Sequence, residues 1–295
     1  MTARQPVPSP VAGPGENPPR LLVYGNEWGL AELPPRPAAA WSFEEMLDRL
    51  GAAGFAGLQA GAERGARVRA HGLRFAAAGR INTSAEADDV VARAADAGAD
   101  FVTVHLGWGN EDDAGIDALI DAVLAAGGRR RLPVYPETHR ATVFQDIWRT
   151  TRAIARRPAL RFNGDFSHYY CGQEMGYRGF EHTRRDLEPI LSRVACLHGR
   201  VSDGQCMQAS VLDPYNQLHV ENFRWLWRET FRHWRRQALP GALFPFIPEL
   251  GPPSSGYALT MPGADGARVE LTDRWTETLA LKAIAEESFQ ASAQP

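Results

Sequence analysis

The fold is decided by the stretch at residues 101–139, FVTVHLGWGNEDDAGIDALIDAVLAAGGRRRLPVYPETH. An apolar run at 101–107 precedes a segment at 116–126 whose apolar residues recur at helical spacing, and a second apolar run follows at 132–139. Short apolar runs that alternate with helical segments are typical of βα units around a parallel sheet. The stretch therefore predicts one strand, one helix and the next strand of an α/β protein.

The same alternation continues through the chain. Apolar runs predict eight strands, at 21–26, 56–60, 73–79, 101–107, 132–139, 160–165, 194–201 and 244–249. Helical period predicts helices at 43–53, 85–97, 116–126, 142–156, 183–192, 220–236 and 275–289, and residues 60–72 predict a short, poorly capped helix. Eight strands with intervening helices favour a closed (β/α)8 TIM barrel over an open sheet, and 295 residues suit such a barrel as a single domain.

The predicted barrel occupies residues 21–290, with a C-terminal tail at 291–295. Residues 1–20 are rich in proline and glycine and predict a disordered arm. Long connections follow strands six, seven and eight, at 171–181, 202–219 and 251–272. Because βα loops lie at the mouth where barrels build their active sites, these loops are predicted to be lids or substrate-contacting walls, with surface decoration as the alternative.

Composition excludes several classes of partner. The net charge of -3 supplies no excess positive charge for nucleic acid. Residues 1–20 contain no apolar run of a secretory signal, and no stretch approaches the roughly 20 apolar residues that span a bilayer. The three cysteines have no CxxC spacing, which favours reduced thiols in the cytoplasm. Neither GxGxxG nor GxxxxGK[ST] is present, so a nucleotide cofactor is not expected.

Strand alternation collects polar side chains inside the barrel mouth. Residues two apart on a strand point to the same side, so each strand can be divided into an inward and an outward row. The inward rows of strands four to eight contain Phe101, Thr103 and His105; Tyr135, Glu137 and His139; Arg161, Asn163 and Asp165; Cys196, His198 and Arg200; Pro245, Ile247 and Glu249. Four of these residues, at the ends of strands five to eight, are called the quartet here: Glu137, Asp165, His198 and Glu249.

The quartet requires a common counter-charge, because a buried carboxylate without one costs several kcal/mol. Three carboxylates and one imidazole favour one divalent ion, Mn²⁺, Mg²⁺, Co²⁺ or Zn²⁺, with Mn²⁺ expected first. Each member also has a structural interpretation when taken alone. Glu137 could pair with Arg140, Asp165 could cap a loop, His198 could be a core histidine, and Glu249 could be a solvated strand end.

Histidine and tryptophan side chains extend the candidate site. His105 and His139 point inward at neighbouring strand ends, where they could bind substrate hydroxyls or support a metal ligand. Trp28 and Trp108 follow strands one and four and could wall the pocket against a sugar face, or could simply pack. In the helix at 220–236, the alternatives are packing or a contact in a homo-oligomer for Trp225, Trp227 and Trp234.

Four motifs resemble the xylose isomerase-like superfamily of sugar isomerases and epimerases, which also includes the endonuclease IV branch. They are ETH at 137–139, DFSH at 165–168, HGRV at 198–201 and PELGPP at 248–253. Their order and spacing follow the series of ketose 3-epimerase-like members. The resemblance implies that the quartet binds the metal and that His168 and Arg200 contact substrate oxygens. In those epimerases the arginine lies further from the metal-binding histidine than Arg200 lies from His198.

The resemblance also implies an activity on a small sugar, keto-sugar or polyol. Glu137 and Glu249 would be the acid/base pair, and a metal-stabilised enediolate would lead to isomerisation or epimerisation. Loss of a hydroxyl from the same intermediate would instead make the enzyme a dehydratase of a keto-inositol-like substrate. Two other hypotheses are an endonuclease IV-like phosphodiesterase and a non-catalytic sugar-binding barrel.

Overall fold

Eight parallel strands form the centre of the protein. The structure is a computed structural model that describes residues 17–34, 39–264 and 266–294. The strands are β1 (Arg20–Asn26), β2 (Gly57–Ala60), β3 (Arg74–Ile81), β4 (Val102–Leu106), β5 (Val134–Pro136), β6 (Phe162–Gly164), β7 (Val194–Gly199) and β8 (Leu243–Pro248). Their order in the sheet is β5-β4-β3-β2-β1-β8-β7-β6, which confirms the predicted strands and barrel.

The ring closes between β5 and β6 through a single parallel bridge, which joins Glu137 to Asn163. The backbone N–H of Thr138 donates to the carbonyl oxygen of Asn163 at 3.1 Å, next to that bridge. The register of β6 against β7 shifts between Phe162 and Asn163. Closure therefore depends on a few contacts that lie beside two members of the quartet, Glu137 and Asp165.

Helices surround the strands. They are α1 (Glu27–Leu30), α2 (Phe43–Ala52), α3 (Gly65–Ala70), α4 (Ala87–Asp96), α5 (Asp113–Arg130), α6 (Ile147–Arg156), α7 (Ser167–Gly172), α8 (Met175–Arg178), α9 (Phe180–Leu191), α10 (Gln217–Arg235) and α11 (Arg274–Ala291). Asp112, Asp146 and Asp273 cap α5, α6 and α11 by accepting backbone N–H bonds. All seven predicted helices are present, and residues 60–72 form a short helical segment as expected.

The prediction of a loop at 171–181 is wrong, because most of this segment is helical and belongs to α7, α8 and the start of α9. Buried Tyr170, Met175 and Phe180 anchor this segment to the hydrophobic core. The loops after β7 and β8 are long, as predicted. The second of them contains an antiparallel hairpin of β9 (Thr260–Pro262) and β10 (Arg268–Glu270).

Two apolar cores confirm the predicted alternation. The larger lies between the strands and the helices. The smaller fills the barrel interior and includes four residues of the predicted inward rows, Phe101, Tyr135, Cys196 and Ile247. This inner core lies directly below the polar side chains at the mouth of the barrel.

The tryptophans of α10 pack within the chain. Trp227 and Trp234 are fully buried and lie edge-on to Phe246 and Phe244 of β8. Trp225 is half-buried against Phe180 of α9. Packing therefore accounts for these three side chains.

The terminal segments are described in part. Of the predicted arm at 1–20, residues 1–16 lie outside the described residues, and Arg20 already belongs to β1. The last helix, α11, ends at Ala291, where the predicted tail begins. Within the described ranges, no helix is both long enough and apolar enough to cross a membrane.

Candidate metal centre

The structure brings the quartet together at the carboxyl ends of four neighbouring strands. Glu137 directly follows β5, Asp165 follows β6, His198 lies in β7, and Glu249 follows β8. Each contributes one ligand atom, and these four atoms all lie within 4.8 Å of one another. Glu137, Asp165 and His198 are buried, and the side chain of Glu249 is 12% exposed. The predicted convergence is therefore present in the fold.

His198 lies at the centre of the quartet. Its Nδ1 atom is 3.2 Å from Oε2 of Glu137 and 3.2 Å from Oε2 of Glu249. Burial lowers the pKa of His198, but the charges of Glu249 and Glu137 outweigh that effect and raise it well above the usual value. Without a metal ion, the charges of Glu137 and Glu249 thus favour the protonated, imidazolium form of His198.

The carboxylates remain ionised although they are buried. Burial raises the pKa of Glu137, yet His198 and His105 hold it well below its usual range. The pKa of Asp165 is also lowered, because the charges of Arg200 and His168 outweigh burial. The site therefore holds ionised carboxylates in a buried environment at neutral pH.

Arg200 directly follows β7, two residues beyond His198, and its side chain reaches the quartet. Its NH2 nitrogen lies 3.1 Å from Oδ2 of Asp165 and donates a hydrogen bond to Oε2 of Glu249. The guanidinium is almost completely buried. Its Nε and NH1 atoms have no hydrogen-bond partner among the described residues. Arg200 is therefore a buried counter-ion of Asp165 and Glu249. Two of its three nitrogen atoms are left to donate to other groups.

A row of histidines forms one wall of the site. The rings of His105 and His139 lie 4.1 Å apart, and those of His139 and His168 lie 3.8 Å apart. Nε2 of His168 is 3.4 Å from Oδ2 of Asp165, while Nε2 of His105 is 3.6 Å from Oε2 of Glu137. Burial, followed by the charge of His168, lowers the pKa of His139 to about 3, so His139 is neutral at physiological pH.

Buried amide side chains lie behind the quartet. Asn26 Nδ2 donates to Gln59 Oε1 at 2.7 Å and to Glu249 Oε1 at 3.2 Å. Gln59 Nε2 donates to Thr103 Oγ1 at 2.7 Å. Sequence reasoning placed Thr103 inward but did not single out Asn26 or Gln59. Both could have been found by dividing the first two strands, as the others were, into inward and outward rows.

A cavity of about 340 Å³ opens above the quartet. It is lined by Asn26, Trp28, Gln59, Ala78, Gly79, Thr103, His105, Glu137, His139, His198, Arg200, Glu249 and Tyr257. Tyr257, from the loop after β8, lies edge-on to Trp28 at 5.4 Å and under the guanidinium of Arg200 at 4.6 Å. Sequence reasoning missed Tyr257, because the long loop that carries it has no periodic pattern.

Two predicted substrate contacts lie outside this cavity lining. Trp108 is 58% exposed, and Arg80 stacks on its indole ring at 4.2 Å. His168 lies beneath the surface and is 1% exposed, behind His139 and Asp165. The other three predicted contacts, His105, His139 and Arg200, do line the cavity.

The chemistry of the quartet fits one divalent cation. Buried Oε1 of Glu137, Oδ2 of Asp165 and Nδ1 of His198 have no hydrogen-bond partner among the described residues, although charged groups lie near them. Groups of this kind are costly unless a partner satisfies them. Three carboxylates carry three negative charges, which one divalent ion and Arg200 would neutralise while His198 stays uncharged. Carboxylate and imidazole ligands suit Mg²⁺, Mn²⁺ or Zn²⁺.

Solved structures that share the fold include sugar epimerases. An L-ribulose 3-epimerase matches with a TM-score of 0.57 at 11% identity, and the match covers 92% of this chain and 95% of that chain. A xylose isomerase-like TIM barrel protein from Mycobacterium smegmatis, in complex with magnesium, has a TM-score of 0.53 at 15% identity, with 91% and 97% covered. A D-tagatose 3-epimerase-like protein has a TM-score of 0.53 at 9% identity, with 93% and 98% covered.

No protein-family model matches the chain, and no curated protein matches its sequence. The structural matches are distant, so they establish the fold and leave the chemistry to the residues of the site. The chain therefore has the TIM-barrel fold that these solved structures share, as its strand pattern predicted.

Proposed function

We propose that the protein is a divalent-metal-dependent isomerase or epimerase that acts on a small sugar, keto-sugar or related polyol. The observation that carries this proposal is the convergence of the quartet below a cavity at the barrel mouth. Active sites of TIM barrels lie at this end. The presence of an L-ribulose 3-epimerase and a D-tagatose 3-epimerase-like protein among the structures of this fold supports the same activity class.

The quartet would hold the metal, with Mn²⁺ as the expected ion and Mg²⁺, Co²⁺ or Zn²⁺ as alternatives. When bound, the ion would act as a Lewis acid that polarises a substrate carbonyl and makes the neighbouring C–H bond more acidic. The fold match to a magnesium-bound protein supports a divalent ion of this kind.

Glu137 and Glu249 would transfer the proton. They reach His198 Nδ1 from β5 and β8, which lie three strands apart around the closed ring. Two carboxylates that approach a bound substrate from different strands can exchange protons with different faces of the same carbon atom. One would remove a proton from carbon and the other would return it. Return to the opposite face epimerises the carbon. Return to the neighbouring carbon, with transfer of the hydroxyl proton to the former carbonyl oxygen, isomerises the substrate.

The cavity suits a small polar substrate. Its volume is near the lower end for ligand pockets, which span roughly 300–1,000 Å³. His105, His139 and Arg200 would bind substrate oxygens. Trp28 and Tyr257 would cover an apolar face of the sugar. We expect the enzyme to act in the cytoplasm as a monomer or homo-oligomer, without nucleic acid or membrane partners.

The test is exchange of carbon-bound hydrogen with solvent. The metal-loaded protein is incubated in D₂O with a panel of ketoses, keto-inositols and hydroxypyruvate, and the products are analysed by NMR and mass spectrometry. Deuterium at the carbon next to the carbonyl, together with an isomer or epimer, is the expected result. Loss of water from a keto-inositol would establish the dehydratase instead. Absence of exchange with every compound, despite bound metal, would support a sugar-binding barrel and contradict the proposal.

A further inference from the structure

Two buried amides connect the start of helix α1 with His198 on β7. Asn26 is the N-cap residue of α1, and Gln59 lies on β2. Asn26 is 5% exposed and Gln59 is 1% exposed, so solvent does not compete for their hydrogen bonds. The orientation of each amide can be deduced from a neighbour whose donor or acceptor role is unambiguous.

The deduction begins at a backbone N–H group, which can only donate. Gly29 N–H donates to the side chain of Asn26 at 2.6 Å, so the atom that accepts there is Oδ1. The other end of the Asn26 amide is therefore the NH₂ group. That group faces Gln59 at 2.7 Å and Glu249 Oε1 at 3.2 Å, and its two hydrogens satisfy both.

The same argument orients Gln59. The atom that faces the Asn26 NH₂ group must be an acceptor, so it is Oε1, and the Gln59 NH₂ group then donates to Thr103 Oγ1 at 2.7 Å. Oε1 of Gln59 also lies 3.1 Å from Nε2 of His198. Because an amide oxygen carries no hydrogen, the hydrogen of this contact belongs to His198 Nε2.

The remaining ring nitrogen, Nδ1, then faces the centre of the quartet. It lies 3.2 Å from Oε2 of Glu137 and 3.2 Å from Oε2 of Glu249. A cation that replaces a proton at Nδ1 leaves the Nε2 proton in place. The neutral ring then offers its free electron pair to the cation. The backbone of α1 thus determines, through two amides, which nitrogen of His198 can bind metal.

We propose that Asn26 and Gln59 are positioning residues that hold His198 as the Nε2–H tautomer and turn Glu249 Oε2 towards the metal. This inference rests on the metal centre of the proposed function and is independent of the substrate. Hydrogen-bond partners behind a metal-binding histidine typically change metal affinity roughly 10- to 100-fold when they are removed. The same range is expected for the contact between Gln59 and His198.

The experiment measures Mn²⁺ affinity by calorimetry on the full chain, without any sugar. Gln59→Met preserves the length of the side chain and removes the acceptor, and we expect it to weaken Mn²⁺ binding roughly 10- to 100-fold. Gln59→Glu restores an acceptor oxygen towards Nε2 and should recover most of the affinity. The matched control is Tyr135→Phe, which removes a buried hydroxyl without a hydrogen-bond partner in the inner core and should bind Mn²⁺ as the wild type does.

A spectroscopic measurement separates the tautomer from a general loss of structure. In ¹⁵N NMR of the Zn²⁺-loaded wild type, His198 should show a protonated Nε2 and a metal-shifted Nδ1. If Gln59→Met folds poorly, Thr103→Val serves instead, because it removes the acceptor that orients the Gln59 amide.

The outcomes are distinguishable. A wild type that binds Mn²⁺, with a Gln59→Met variant within about twofold of it, or with metal on Nε2, would overturn the role of the amides while the metal centre stands. A wild type that binds no divalent ion would overturn the metal centre of the proposed function, and this inference with it.

Discussion

The guanidinium of Arg200 lies 3.1 Å from the Oδ2 atom of Asp165, and both side chains are buried at the barrel mouth. The family resemblance implies a substrate contact for Arg200, and the structure shows that this arginine is also the counter-ion of a quartet member. Removal of one partner from a buried ion pair leaves a charge that solvent cannot stabilise.

We therefore expect Arg200→Met to lower the free energy of unfolding of the metal-free protein by about 3 to 5 kcal/mol. Added Mn²⁺ should recover part of this loss, because it brings new positive charge to Asp165 and Glu249. Chemical denaturation with and without Mn²⁺ measures both effects. Arg152→Met is the control, since it breaks the exposed pair with Asp113 and should cost no more than about 1 kcal/mol. Equal losses in the two variants would refute the role of Arg200 as a buried counter-ion.

Glu249→Gln should abolish most turnover while the fold survives. The amide lacks the proton-accepting oxygen of a carboxylate, and general acid–base catalysis contributes typically 10²–10⁴-fold to rate. A fall in kcat of roughly 10²-fold or more is expected, measured with the substrate that the exchange panel identifies. Glu27→Gln is the control, because Glu27 pairs with Arg64 beside the mouth and does not line the described cavity. Turnover of Glu249→Gln within a few-fold of the wild type would exclude it as an acid or base.

Trp28→Ala should weaken substrate binding more than it slows the chemical step. Trp28 and Tyr257 line the cavity edge-on to each other, and neither side chain carries a carboxylate that could move the proton. Loss of a contact made equally in the ground and transition states raises KM and leaves kcat nearly unchanged. Trp148→Ala is the control, since Trp148 lies on α6, is 68% exposed and is not one of the residues that line the described cavity. A fall in kcat with constant KM would place Trp28 in the catalytic machinery instead.

Gly199→Ala should destabilise the barrel beside the metal centre. A Cβ atom at Gly199 would lie 2.2 Å from the ring of Phe246 on β8, so the ring or the strand must move. Overpacking of this kind costs typically about 1–3 kcal/mol. Gly128→Ala makes the same chemical change in helix α5, where nothing lies within 4 Å of the added methyl group. Thermal unfolding should show a lower Tm for the first variant and an unchanged or higher Tm for the second. An unchanged Tm for Gly199→Ala would show that this close contact relaxes freely.

Strand alternation explains why much of this site could be predicted from the sequence. Glu137, His198 and Glu249 follow or belong to strands whose apolar runs are unmistakable, and a period of two determines which side chains share a face. The barrel then brings those faces together. The same argument predicted Phe101, Tyr135, Cys196 and Ile247 inside, and all four lie in the inner core.

The parts that the sequence did not predict depend on long-range contacts. The sequence predicts a long connection at 171–181 after strand six, whereas burial of Tyr170, Met175 and Phe180 stabilises short helices there. The position of Tyr257 depends on contacts with Trp28 and Arg200, which are far from it in the chain. No local pattern encodes such contacts.

The central claim is that the quartet binds one divalent metal ion, and anomalous scattering at the manganese edge from crystals grown with Mn²⁺ tests it most directly. We expect one anomalous peak per chain, within bonding distance of Glu137, Asp165, His198 and Glu249, and no peak there in Asp165→Asn crystals. Absence of a peak at the quartet in the wild type, with the site shown to be ordered, would contradict the account.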